Sequence, residues 1–323
     1  MPKLETQPTP GGLPLYDAAR AMGIPFKKDV TPADKTFQSS GLRLHYLDWG
    51  NTNAPTVIFL HGFAQTCHSW DFTCLSLCDR YHAVSLDQRG HGDSEWAPNG
   101  NYTLDAYVAD LSAFIAHLGA KRPILVGLSM GGRNAFVHAA RHLDAVSALA
   151  IVEAAPVWEA AGSDKVRRFV ETVDNLDSPD DFVTHLLELY PMRTRQQLRG
   201  SVVRNLKHLP NGKWTWKYDR VLRTPGRNAK PSPKEVAQLW GYLESLACPT
   251  LVVRGARSDT ISEATAVEMT RRIPNARLAI VPNAGHLVPG DNPTGFLTVL
   301  NDFLNSSSSG RRKVIGNWEA PPL

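Results

Sequence analysis

The pentapeptide Gly127-Leu128-Ser129-Met130-Gly131 has the form G-x-S-x-G, and it stands between the apolar run 124–126 and a helical pattern over 130–141. A serine on so tight a strand-to-helix turn takes a strained backbone and presents its hydroxyl at the carboxyl end of the strand. Gly127 and Gly131 occupy positions where any side chain would crowd that turn. The helix that follows aims its N-terminus at the hydroxyl, which favours developing negative charge there. This is a setting for nucleophilic catalysis on a carbonyl carbon.

Such a serine needs a framework to hold it. The pattern predicts strands over 36–39 and 43–49 around the Ser40-Gly41 turn, then over 57–60, 83–86, 124–126 and 149–152. Helical spacing falls between them at 70–78, 103–118 and 130–141. Short all-apolar strands alternating with helices indicate a mostly parallel sheet covered on both faces, an α/β fold. The alternation stops near Pro156 and resumes with strands at 250–253 and 277–281 and helices at 262–273 and 293–304. Between 157 and 247 the reading is helical, with no strand pair. The expected organisation is an N-terminal arm (1–36), a core (37–156 and 248–305), a helical cap (157–247) and a C-terminal tail (306–323).

Further patterns sit at the ends of these strands: His61-Gly62-Phe63, Asp87-Gln88-Arg89-Gly90-His91-Gly92-Asp93-Ser94, Gly255-Ala256-Arg257-Ser258-Asp259 and Asn283-Ala284-Gly285-His286. With the serine turn, and in this order, they make residues 36–305 resemble the α/β-hydrolase family, in its esterase-like serine-hydrolase branch. The resemblance implies catalytic residues in the order nucleophile, acid, histidine: Ser129, Asp259 and His286. Asp259 is favoured as the acid because it follows the late strand 250–253. Glu153, at the end of strand 149–152, is the rival, since some family members carry the acid there; otherwise it lines the pocket. The oxyanion hole would be the backbone N–H groups of Phe63 and Met130. No cofactor or metal is implied. A serine at position 129 argues against the dehalogenases and epoxide hydrolases of this fold, which use Asp, and Leu128 stands where C–C bond hydrolases typically have Asn.

The expected reaction is hydrolysis of carboxylic esters or lactones. The alternatives are a C–C bond hydrolase acting on an acidic dienone-type substrate held by Arg193 or Arg195, an amidase or acyl transferase, and a non-catalytic ligand-binding protein. The segment 157–247 holds four of the eight tryptophans (Trp158, Trp214, Trp216, Trp240), so Trp158 and, from the loop after His61-Gly62, Trp70 are candidate pocket walls.

Charge and composition set the outer limits. The 323 residues carry a formal net charge of +4, 42% hydrophobic and 20% charged residues, which excludes a wholly disordered chain. Residues 191–234 hold twelve basic side chains against one acidic, a local +11. That stretch reads as a solvated face or as steering for an acidic substrate; no nucleic-acid motif accompanies it. Four cysteines without a CxxC pair form neither a disulfide framework nor a zinc site, and His61, Arg89, His91 and Asp93 match no zinc spacing. Neither a signal-peptide pattern in the first 30 residues nor a 20-residue apolar run occurs, so a cytoplasmic protein acting on a small molecule, away from membranes and nucleic acid, is expected.

Overall fold

Period-2 alternation within the strands sorts their side chains between two buried layers. In Thr56–Leu60 (β3), Ile58 and Leu60 face one layer while Val57 and Phe59 face the other. In Ile124–Leu128 (β5), Leu125 points one way and Ile124, Val126 and Leu128 the other. Strands buried on both faces need helices on both faces, and the computed structural model, which describes residues 14–171, 174–190, 193–224 and 231–308, supplies them.

The remaining strands of the main sheet are Ala33–Ser39 (β1), Leu42–Asp48 (β2), His82–Leu86 (β4), Ala148–Val152 (β6), Thr250–Gly255 (β9) and Ala276–Val281 (β10); Leu206–His208 (β7) and Trp214–Trp216 (β8) belong elsewhere. The sheet order is β1-β2-β4-β3-β5-β6-β9-β10. Pairing is antiparallel for β1–β2 and β2–β4 and parallel across the rest. The strand order reverses at β3 and β5, and it is outside the carboxyl ends of strands at such a switch point that α/β sheets bind ligands. Leu60 pairs with Gly127 there, so the chain leaving β3 at His61 and the chain leaving β5 at Ser129 emerge side by side.

The helices are Leu15–Ala21 (α1), Asp71–Leu77 (α2), Leu104–His117 (α3), Met130–Arg141 (α4), Ala160–Glu171 (α5), Pro179–Leu189 (α6), Arg195–Asn205 (α7), Pro233–Glu244 (α8), Glu263–Arg272 (α9), Val288–Asp291 (α10) and Pro293–Ser308 (α11). Helix starts follow capping chemistry: the Ser178, Thr194 and Ser232 side chains each accept from the N3 amide while the N3 side chain reaches back to the cap. None of the helices among the described residues is long and apolar enough to cross a membrane.

Two expectations change. The arm 1–36 is part of the core rather than a separate segment: β1 begins in it at Ala33, and α1 buries Leu15, Ala18 and Ala19, with Leu15 and Ala19 in the layer that also holds Trp49 and Trp70, while residues 1–13 lie outside the described residues. The insertion 157–247 does contain a strand pair, since β7 and β8 form an antiparallel hairpin closed at Asn211-Gly212, where Gly212 takes φ +83°. Three-residue strands carry too little alternation to be read from sequence; the Asn-Gly turn was the available signal. Of the tail 306–323, Ser306 and the two residues after it continue α11, and 309–323 lie outside the described residues.

The insertion is fastened to the core by ion pairs rather than left as a basic surface. Arg193 pairs with Asp291 at 2.7 Å, Lys217 with Asp93 at 2.8 Å, Arg204 with Asp71, and Lys165 with Asp259. Within the insertion Arg199 meets Asp180 at 3.0 Å and Arg223 meets Asp174 at 3.0 Å. Seven of the twelve basic residues of 191–234 thus meet acids of the core or of 174–180.

Candidate active site

Ser129 sits at φ +52°, ψ −114°, a region that L-residues occupy only when the surroundings over-determine it. Those surroundings are visible at the glycines. A Cβ on Gly127 would lie 2.4 Å from the Gly131 carbonyl oxygen, and one on Gly131 would lie 2.3 Å from the Leu60 oxygen. Strand, turn and helix therefore approach more closely than any side chain permits, and the serine is held at the tip.

Beside it runs the loop after β3. A Cβ on Gly62 would come within 3.4 Å of the Ser129 Cβ. His61 is fully buried; its Nδ1–H donates to the Gly62 oxygen at 2.7 Å, and its Nε2 accepts from the Gln88 amide at 3.0 Å. Gln88 in turn donates to the His61 carbonyl at 2.7 Å and accepts from Asn134 of α4 at 2.7 Å. Both ring nitrogens are thus used by a neutral imidazole, in keeping with burial, which lowers its pKa. This network fixes the loop relative to α4. The amides of Phe63 and Met130 donate to no protein group among the described residues, and both residues line the cavity over Ser129.

The carboxylate that meets His286 is not the expected Asp259 but its rival, Glu153. His286 Nδ1 donates to Glu153 Oε2 at 3.2 Å, whereas Asp259 is engaged by Lys165 and by Thr260 Oγ1 at 3.3 Å. Burial acts to raise the Asp259 pKa, but the Lys165 ammonium outweighs it and holds the carboxyl below its usual value. Glu153 closes β6 at φ +50° with its side chain fully buried. Its Oε1 accepts from the Gly255 amide at 2.7 Å and its Oε2 also from Ser258 Oγ at 2.6 Å. Three donors on one buried carboxylate satisfy the charge that burial would otherwise penalise. The Ser258-Asp259 pair, read in the sequence as the setting of the acid, supplies Glu153 with a hydroxyl instead. The signal for Glu153 was a carboxylate at the end of an entirely apolar strand.

Close packing brings the histidine loop to Glu153. A Cβ on Gly255 would lie 2.3 Å from the Gly285 oxygen, and the Arg257 amide donates to the Ala284 oxygen at 2.9 Å. The Gly285 amide donates to Asp291, the partner of Arg193.

Ser129, His286, Phe63, Met130, Trp158 and Arg193 all line one cavity of about 420 Å³. Its walls come from the core loops and from the insertion, including Phe169, Tyr190, Trp216 and Leu222. Trp158 packs edge-on against His286, with ring centroids 6.3 Å apart. Trp70 is corrected: it is fully buried against Phe59 and Phe296, at 5.2 and 5.9 Å, and is not part of the cavity wall. Arg193 reaches the cavity, but with its charge already matched by Asp291 at 2.7 Å, and Arg195 hydrogen-bonds Thr184 at 3.0 Å.

Among the other chemistry-bearing residues, Arg89 is clamped by Asp110 and Asp93 by Lys217. His45, Cys67 and Asp87 bring ligand-type atoms within 4.8 Å of one another, all buried. That donor set is already occupied: the His45 nitrogens meet Asp87 and Asp34 at 2.8 and 3.0 Å, and Asp87 also accepts from the Cys67 and Asp93 amides. Burial opposes the charge on His45, yet Asp87 and Asp34 raise its pKa to about 9, making it an imidazolium between carboxylates.

Comparison with known proteins agrees with the fold. The family model described as alpha/beta hydrolase fold matches residues 55–293. The chain belongs to the α/β-hydrolase fold family. Esterase Rv0045c of Mycobacterium tuberculosis is 31% identical over 267 residues, covering 80% of this chain and 86% of the relative. The 3-hydroxybutyrate-oligomer hydrolase of Cupriavidus necator is 27% identical over 254 residues, covering 76% and 87%. The crystal structure of Rv0045c superposes with a TM-score of 0.71 at 28% identity, covering 90% of this chain and 96% of that one. Within the family the protein is a hydrolase, related to esterases and other hydrolases that act on small molecules.

Proposed function

We propose that the protein hydrolyses carboxylic esters or lactones by way of an acyl-enzyme. Ser129 is the nucleophile, His286 the general base and acid, Glu153 the group that orients the imidazole, and the amides of Phe63 and Met130 the oxyanion donors. The observation that carries this reading is the Glu153–His286 hydrogen bond at 3.2 Å beside a strained serine in one shared cavity. With Nδ1–H donated to a carboxylate, Nε2 is the nitrogen free to take the Ser129 proton. Attack on the carbonyl carbon moves charge onto its oxygen, towards amides already fixed in place, which need no reorganisation as charge builds. The imidazolium then returns the proton to the leaving alcohol. Water repeats the sequence and releases the acid.

The walls of the cavity are mainly aromatic and aliphatic, which suits an ester of a carbon chain. The name of the Mycobacterium relative points the same way. The C–C bond alternative loses its proposed anchors, because Arg193 and Arg195 are engaged elsewhere. The decisive experiment screens p-nitrophenyl esters of increasing acyl length, lactones and a vinylogous keto acid, with Ser129→Ala as control. Turnover of esters or lactones that Ser129→Ala reduces by about 10³-fold or more supports the reading. Ester hydrolysis unaffected by that substitution, or turnover of the keto acid alone, overturns it.

A further inference from the structure

Three arginines line the cavity over Ser129, and they differ in one respect. Arg193 is matched by Asp291 and Arg204 by Asp71. Arg133, on α4 one helical turn after Ser129, has no carboxylate within ion-pair distance and no hydrogen-bond partner among the described residues. Its Nε is buried and unpartnered. The acid whose field reaches it, Glu235, is exposed and held in the capping box of α8, accepting from the Ser232 amide and hydroxyl at 2.7 Å each. The other group whose field reaches it is the Tyr107 hydroxyl, and the same cavity is lined by the apolar Leu222, Val236 and Leu239.

A guanidinium facing an apolar cavity without a counter-charge is costly unless something else completes it. Arginine is the side chain whose planar fork best matches a carboxylate. We propose that Arg133 binds a carboxylate carried by the substrate, so that the cavity selects esters with an anionic end on the acyl or the alcohol chain. This rests on the ester-hydrolase reading and narrows it. The position gives the arrangement: Ser129 caps α4 and Arg133, whose amide donates to the Ser129 carbonyl, lies one turn, about 6 Å, along its axis, so one substrate can meet both.

The test compares matched substrates. Ethyl hydrogen adipate against ethyl hexanoate places the charge on the acyl side; 5-acetoxypentanoate against pentyl acetate places it on the alcohol side. The wild type should favour one charged substrate over its neutral partner by about 10–100-fold in kcat/KM, the range of a charge-assisted hydrogen bond. Arg133→Gln should collapse that ratio, and Arg133→Lys should keep part of it. A preference on either side supports the proposal and identifies where the anion sits. Neutral esters turned over without such a preference, or a ratio that Arg133→Gln leaves intact, overturn it while leaving the hydrolase reading standing.

A binding measurement separates the two readings. Adipate should raise the melting temperature of Ser129→Ala protein, its neutral diamide should do so less, and Ser129→Ala/Arg133→Gln should lose the difference. If no ester is hydrolysed but this Arg133-dependent shift appears, the hydrolase reading fails and the anion site survives. If adipate gives no Arg133-dependent shift, the anion site is overturned.

Discussion

Replacing Glu153 by Gln keeps the side-chain shape and removes the charge opposite His286. In the acylation step of the proposed mechanism His286 becomes an imidazolium, its Nδ1 3.2 Å from Glu153 Oε2. With the charges centred about 4 Å apart and an effective dielectric constant near 20, that attraction is worth ~4 kcal/mol. At about 1.4 kcal/mol per decade, kcat should fall by roughly 10³-fold. Asp259 differs because its charge is already countered by Lys165, so Asp259→Asn should change kcat by less than about 5-fold. The assay is steady-state hydrolysis of a short p-nitrophenyl ester, with melting curves run on both variants. The melting control matters because the amide introduced by Glu153→Gln would set its N–H₂ against one of three donors, from Gly255, Ser258 and His286, at a stability cost of about 1–3 kcal/mol. A 10²-fold or larger loss in Asp259→Asn with near-normal Glu153→Gln would refute the reasoning and return the acid to Asp259.

Two further outcomes follow from the buried charges. His45 is held protonated by Asp87 and Asp34, with its pKa raised from the ordinary 6.5 to about 9. A raised pKa stabilises the fold fully below about pH 6.5, and that contribution, of order 3 kcal/mol, declines from there and is gone above about pH 9. Thermal melts from pH 6 to 10 should fall accordingly, and His45→Gln should be less stable at pH 6 and flatter across the range; an equally steep decline in that variant would count against the pair. The Arg204–Asp71 pair, almost inaccessible on both sides, ties α7 to the helix after β3. Arg204→Ala should cost about 3–5 kcal/mol by leaving the buried Asp71 with only the neutral His68 imidazole beside it, while Arg204→Met with Asp71→Leu should recover most of it; a single variant melting within about 1–2 °C of wild type would show that the pair holds little.

The strained serine turn, the histidine loop and the sheet that carries them are local features, and they were legible locally. The glycines of 127–131 announce a turn too tight for side chains, and each strand–helix alternation is written in apolar runs of the right length. The acid was a different kind of question. Glu153 follows β6 directly and Asp259 comes four residues after β9, and β6 and β9 are neighbours in the sheet, so both stand within a few residues of the same place. Which carboxylate turns inward depends on φ +50° at Glu153 and on a lysine arriving from α5 to claim Asp259. Those are contacts between segments far apart in the chain.

The same holds for charge and for tryptophan. A run of twelve basic residues reads as a surface until the acids that face it are known; here Asp71, Asp93, Asp174, Asp180 and Asp291 come from four separate segments to meet it. Trp70 and Trp158 are equivalent by type and by nearness to a motif, yet one fills the layer between β3 and α11 and the other flanks His286. Sequence by itself determined what is set by neighbours along the chain: strand and helix periods, the steric need for glycine, the serine and histidine at their strand ends. Tertiary structure alone decided which carboxylate meets the histidine, which arginines are matched and that Arg133 has no such partner among the described residues, because a charge in a protein interior is defined by whatever counter-charge the fold brings within a few ångströms of it.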